Sequence, residues 1–274
     1  MQAPPQTVDF ETMMALEAHG PDTYVGIGPR YPWGGLYGGQ IVAQALRAAT
    51  LTVEERFHVH SLHAFFIRRG DDREPIRFEV DRLRNGRSFV TRAVVARQAS
   101  GAILNLSASF QVDEDATDVQ AAVAPSAPDP ETLTGNSWSE LFDRRSTLPD
   151  DPTRPVGRAA AWMRATTPFG DDRGVHACAM AYLSDDLPTE AVWGLHPDIE
   201  GTTHEDWFDS SLDHAMWFHR PVRADEWTLW DFRCNGLLSS RGLAVGEAFT
   251  ADGTHVASVA QEVLMRRRRD RGGS

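Results

Sequence analysis

The chain writes one stretch twice. Residues 60–70 read HSLHAFFIRRG and residues 210–221 read SSLDHAMWFHRP. In each, a small polar residue and Leu lead to His-Ala, then bulky apolar residues, then Arg with Gly or Pro. The echo continues downstream. With His60 set against Ser211, Gln111 falls 51 residues later and Gln261 falls 50 residues later. SASFQV (107–112) matches SVAQEV (258–263) with a one-residue offset. A period of about 150 residues is far longer than a solenoid unit, so it implies a duplicated domain.

Both halves follow one order. TYVGIGPRYP reads as a short strand, and a helix follows from about Gly39 to Leu51, with Ile41, Val42, Ala45, Leu46 and Ala49 at helical spacing. Four strands come next: FHVHSLHAFFI, IRFEVDRLR, RSFVTRAVVARQ and ILNLSASFQV, with Asn85-Gly86 as a hairpin signal. In the second half AAAWMRAT (159–166) is a strand. DDRGVHACAMAYLSD is a helix with Asp171 or Asp172 as N-cap. Four more strands follow, closed by a DGT turn. Helix and then antiparallel strands, twice over, is an α+β layout. The expected division is residues 1–114, a linker region 115–157 with a short helix around Trp138–Arg145, and residues 158–274 with a basic tail from 266.

Charge and composition exclude some classes. The formal charge is 27 − 39 = −12, which repels nucleic acid. Two cysteines, Cys178 and Cys234, allow neither a disulfide framework nor a CxxC metal pattern. No basic start precedes an apolar run, and no stretch approaches the roughly 18 apolar residues of a membrane span. A cytoplasmic protein with no membrane insertion is expected.

Several segments carry a resemblance together: LYGGQIVAQAL (36–46), HSLHAFFIRRGD (60–71), LRNGRSFVTRAVVARQ (83–98), SASFQ (107–111), SLDHAMWFHRP (211–221) and SRGLAVGEAFTADGTHVASVAQE (240–262). They resemble the type II acyl-CoA thioesterases, the TesB-like family. That implies a double hotdog, two tandem repeats in which a curled antiparallel sheet wraps a helix. It implies hydrolysis of fatty acyl-CoA to fatty acid and coenzyme A, without metal or organic cofactor, and self-association to a homodimer or larger. It also implies a catalytic set in the second half: Asp185 at the end of the second helix, Ser211 two places before the Asp of LDH, and Gln261 in the last strand. Asp186 is the alternative to Asp185, because the loop that follows is long.

The residue types suit those roles. A carboxylate at a helix C-terminus faces the negative end of the dipole, and burial raises its pKa, as a general base needs. Ser211 and Gln261 can hold a water without neutralising that base. No GxSxG elbow signals a serine nucleophile. Gly38, Gly39 and Gln40 open the first helix, whose N-terminus is either a substrate-binding element that polarises a carbonyl or a tight turn with a satisfied cap. The end of the first helix, ALRAATLTV (45–53), offers no acid, so one active site per chain is expected. Asp213, unmatched in the first copy, is read as structural, holding backbone beside Ser211. His60, His63, His214 and His219 read as core or strand-surface histidines, since a metal needs three or four converging ligands. Phe65, Phe66, Met216, Trp217 and Phe218 alternate on strands; most read as core, and a few are candidates for lining an acyl tunnel. The tail RRRRDR (266–271) is either a solvated end or a contact for coenzyme A phosphates. Two rivals remain: a non-catalytic acyl-CoA or lipid-binding module, and a hotdog enoyl-CoA hydratase, whose DxNPxH stretch is absent.

Overall fold

Two glycines start the first long helix. The structure, a computed structural model, describes residues 8–148 and 155–268. The first half contains α1 (Phe10–Met14), β1 (Glu17–Ala18), β2 (Thr23–Gly26), α2 (Gly38–Thr50), β3 (Phe57–Phe66), β4 (Ile76–Asn85), β5 (Phe89–Gln98) and β6 (Gly101–Val112). The second contains β7 (Phe142–Ser146), β8 (Arg158–Ala165), α3 (Arg173–Leu183), α4 (Leu187–Trp193), β9 (Trp207–Ser211), β10 (Asp213–Phe218), β11 (Thr228–Leu238), β12 (Arg241–Thr250) and β13 (His255–Arg267). Among the described residues, no helix is long and apolar enough to cross a membrane.

The duplication holds at the level of topology. The first half orders its strands β2-β4-β5-β6-β3, and the second orders the counterparts β8-β11-β12-β13-β10. All pairings are antiparallel. The two copies of the repeated stretch are β3 and β10, which lie side by side and join both halves into one sheet. Met216 pairs with Leu62 across this seam, and both are fully buried. The sheet curls around the helices: α2 packs on β4, β5 and β6, α4 packs on β8, β11 and β12, and α3 packs on α2.

Strand alternation supplies the core. In β6, Leu104, Leu106, Ala108 and Phe110 face inward, while Asn105, Ser107 and Ser109 face out. Across β11 and β12, Phe232 pairs with Gly246. A Cβ at Gly246 would come 2.4 Å from the Phe232 ring. Gly246→Ala is therefore expected to cost about 1–3 kcal/mol through overpacking. Urea unfolding checks this, and an unchanged midpoint would mean that the ring has room to turn.

Three expectations need correction. The helix expected around Trp138–Arg145 is strand β7. Phe142 and Arg144 are buried while Asp143 and Arg145 are less so, a period of two that continues the sheet beside β8. The only helical turn described within 115–157 is a 3-10 turn at Pro130–Thr132. The long loop after Asp186 is partly structured, as α4 and β9. The basic run does not begin as a free tail: Arg266 and Arg267 belong to β13, and Arg268 Nε donates to Trp207 O at 2.6 Å. Residues 269–274 lie outside the described residues.

Candidate active site

Two side chains and a backbone amide, from three elements, meet at one carboxylate. Asp185 lies two residues past the end of α3 and is 6 % exposed. Its Oδ1 accepts from Gln261 Nε2 at 2.7 Å and from Ser211 Oγ at 3.1 Å. Gln261 Nε2 also donates to Ser211 Oγ, at 2.8 Å. Oδ2 accepts from the backbone N–H of Gly39 at 2.8 Å. These donors favour the carboxylate, but desolvation opposes them more strongly, and burial pushes the Asp185 carboxyl above the usual carboxylate range.

A break in strand order makes the cluster possible. Ser211 pairs with Val263 and Ala215 pairs with Ala260, so residues 212–214 oppose only 261 and 262. One extra residue on one strand is a β-bulge. Ser211 and His214 are three apart and would face opposite sides of a regular strand. The bulge turns both inward. It would also leave Glu262 N–H without a ladder partner, and Asp213 Oδ1 accepts that N–H at 2.7 Å. Asp213 thus closes the bulge that aims Ser211.

The amino end of α2 faces the same point. Tyr37, at the N-cap, makes no side-chain cap bond, and the N2 amide, Gly39, is capped instead by Asp185 from the other half. The related helix α3 caps itself: Asp172 Oδ1 accepts from its N2 amide, Gly174, at 2.8 Å. The position matching Asp185, two residues past α2, is Thr52, which accepts from buried Arg92 Nε at 2.8 Å. The two helix junctions are thus equivalent in place and different in chemistry. Glycine is required at the open one. A Cβ on Gly38 would lie 2.6 Å from Asp185 Oδ2, and one on Gly39 would lie 2.4 Å from Tyr182 O. Gly38→Ala is expected to displace the carboxylate and lower kcat at least tenfold, since ångström-scale misplacement costs up to about 100-fold. Steady-state kinetics beside a melting curve checks this.

Asp185, Ser211, Gln261, Gly38 and Gly39 therefore come together. Gln40 does not join them: its buried side chain turns to Gln44 at 3.1 Å and packs against Gly28. Asp186 points away: Trp138 Nε1 donates to its Oδ1, and Arg144 Nε lies 2.7 Å from its Oδ2. The sequence match of Gln111 to Gln261 does not hold in space. Gln111 lies on the outer face of β6, beyond inward Phe110, because a one-residue offset exchanges the two faces of a strand. His60 likewise meets Ser109 on that side, at 2.9 Å. His63 and His214 share a place in the repeated text, yet His63 is exposed and His214 is 1 % exposed. His214 Nδ1 lies 2.5 Å from Gln261 Oε1, and its Nε2 lies 2.9 Å from Ser184 Oγ. His214 is the core histidine that the sequence suggests, whereas its bond to Gln261 and the part of Ser184 are not legible there. The unmatched Asp213 was the one available sign that β10 is irregular there. Among the described residues, no three His, Cys, Asp or Glu side chains cluster as a metal ion requires.

The class of protein follows from the backbone. The fold matches a hot dog fold protein of unknown function from Alicyclobacillus acidocaldarius, with TM-score 0.78 over 95 % of this chain and 98 % of that one at 20 % identity. Residues 28–111 match the family model described as acyl-CoA thioesterase N-terminal domain, and residues 117–265 match the one described as acyl-CoA thioesterase C-terminal domain. The chain belongs to the acyl-CoA thioesterase family. It is 34 % identical to human acyl-coenzyme A thioesterase 8, over 95 % of this chain and 90 % of the relative. The crystal structure of acyl-CoA thioesterase II TesB2 from Mycobacterium marinum matches with TM-score 0.82 and 36 % identity, covering 97 % of this chain and 99 % of that one. The expected double hotdog, two tandem hotdog repeats, is the fold observed.

Proposed function

We propose that the chain is an acyl-CoA thioesterase that releases a fatty acid and free coenzyme A by direct attack of water. The observation that carries this is the buried carboxylate of Asp185, held by Ser211 and Gln261 beside the amino end of α2. Asp185 acts as general base. Ser211 and Gln261 hold the water, and the thioester carbonyl lies against the first turn of α2, at Gly38, Gly39 and Gln40. Helix N–H groups there favour developing negative charge. As Asp185 takes a proton, the water oxygen bonds to the carbonyl carbon and the carbonyl becomes an oxyanion. Its collapse breaks the C–S bond, and the thiolate of coenzyme A leaves and takes up the proton from Asp185. No step is routed through a metal or organic cofactor.

The same reading assigns one active site per chain, since the matching position in the first half carries Thr52 against Arg92. It assigns self-association to a dimer or larger, because the sheet ends at open edges. It assigns the cytoplasm, in keeping with two free thiols, Cys178 and Cys234.

Free thiol release from acyl-CoAs of short to long chain is the test. Turnover of at least one member supports hydrolysis, and the panel reports chain length. Tight binding with no release would favour a non-catalytic acyl-CoA-binding module.

A further inference from the structure

We propose that His214 is a positioning residue for this hydrolysis: it fixes which way round the Gln261 amide sits, and through Ser184 it ties that amide to the backbone carrying Asp185. The proposal rests on the Asp185–Ser211–Gln261 reading above and deepens it.

A side-chain amide has a donating end and an accepting end of nearly the same shape. Gln261 serves the site only one way round. As it stands, Nε2 donates to Asp185 Oδ1 and Ser211 Oγ, at 2.7 and 2.8 Å. Turned over, its carbonyl oxygen would face a carboxylate. What opposes the turn is behind it, where Nδ1 of His214 lies 2.5 Å from Oε1. Oε1 only accepts, so Nδ1 carries the proton. Burial lowers the His214 pKa and the ring is neutral, which leaves Nε2 bare. Ser184 Oγ, 2.9 Å away, donates to it. The same hydroxyl also donates to Ala181 O at 2.9 Å, so its one proton is shared between that carbonyl and Nε2. Ser184 is fully buried, caps the C-terminus of α3 and directly precedes Asp185. One ring thus joins β10, β13 and the end of α3, the elements that supply the base and the amide.

His214→Leu removes both ring nitrogens at comparable volume. It is expected to lower kcat about 10- to 100-fold while KM stays within about threefold, because positioning and not binding is lost. His214→Asn keeps an N–H donor near the Nδ1 position and is expected to recover most of that loss. A histidine that merely fills the core predicts the reverse order, with Leu tolerated better than Asn. Wild-type kcat in His214→Leu, or His214→Asn as slow as His214→Leu at equal Tm, overturns the proposal. If His214→Leu does not fold, the tautomer is read directly by 15N NMR of the wild-type ring. Nδ1–H with an accepting Nε2 is expected, and Nε2–H or an imidazolium at neutral pH overturns the assignment. This measurement needs no turnover. Failure of the thioesterase reading, seen as no thiol release by wild type, is therefore distinct from failure of the His214 assignment.

Discussion

Asp185→Asn is expected to lower kcat for acyl-CoA hydrolysis by about 10²–10⁴-fold, the range that a positioned general base contributes. Asn keeps the shape and an acceptor but cannot take the proton from water. Thiol release by variant and wild type side by side measures the loss. Equal rates would move the base away from Asp185. The same substitution has a signature in stability. Burial raises the native carboxyl pKa, so between the unfolded value near 3.9 and the native value the folded chain binds more protons than the unfolded one. The stability that protonated Asp185 contributes is complete below about pH 4 and is lost as pH rises through the native pKa. Asn has no such dependence. Wild-type stability relative to Asp185→Asn should therefore fall as pH rises out of the acid range. A difference that grows with pH would mean that the carboxyl pKa is lowered in the native state.

Arg144→Leu is expected to cost about 3–5 kcal/mol, because it leaves a buried carboxylate without its cation. Arg144 is 8 % exposed. It reaches from β7 to Asp186 and also pairs with Glu190 of α4. Asp186 is buried, and desolvation pushes its carboxyl up despite Arg144. Replacing both partners with apolar residues is expected to recover much of the loss, since an apolar pair needs no compensating charge. Chemical unfolding of the two single variants and the double variant forms a closed cycle. Strict additivity would deny the coupling. Asp186→Asn should keep kcat near the wild-type value, because the side chain faces Trp138 and Arg144 and not Ser211. The two adjacent acids thus separate by rate: Asp185→Asn lowers kcat and Asp186→Asn leaves it near wild type.

Most of the architecture was legible in the residues, for a local reason. Strand alternation and helical spacing are carried by neighbours, so α2, β3 through β6 and their counterparts fall where the pattern puts them. The error at Trp138–Arg145 has the same origin. Trp138 and Phe142 are four apart, as on a helix, but Phe142 and Arg144 are buried with Asp143 between them, and pairing with β8 decided the matter. The candidate base, hydroxyl and amide came through resemblance. Spacing alone does not bring Asp185, Ser211 and Gln261 together.

What the chain determined unaided is the duplication, the residue types at each strand position and the asymmetry of acids at the end of the second helix but not the first. Those are properties of near neighbours and of copied text. Register and packing decided the rest. The bulge opposite Glu262 turned Ser211 and His214 to the same side. The one-residue offset sent Gln111 outward while Gln261 faces in. The Gly39 amide found its cap in Asp185, 146 residues away in the other half. A strand presents opposite faces at successive residues, so a shift too small to disturb the pattern in the text reverses what each side chain meets.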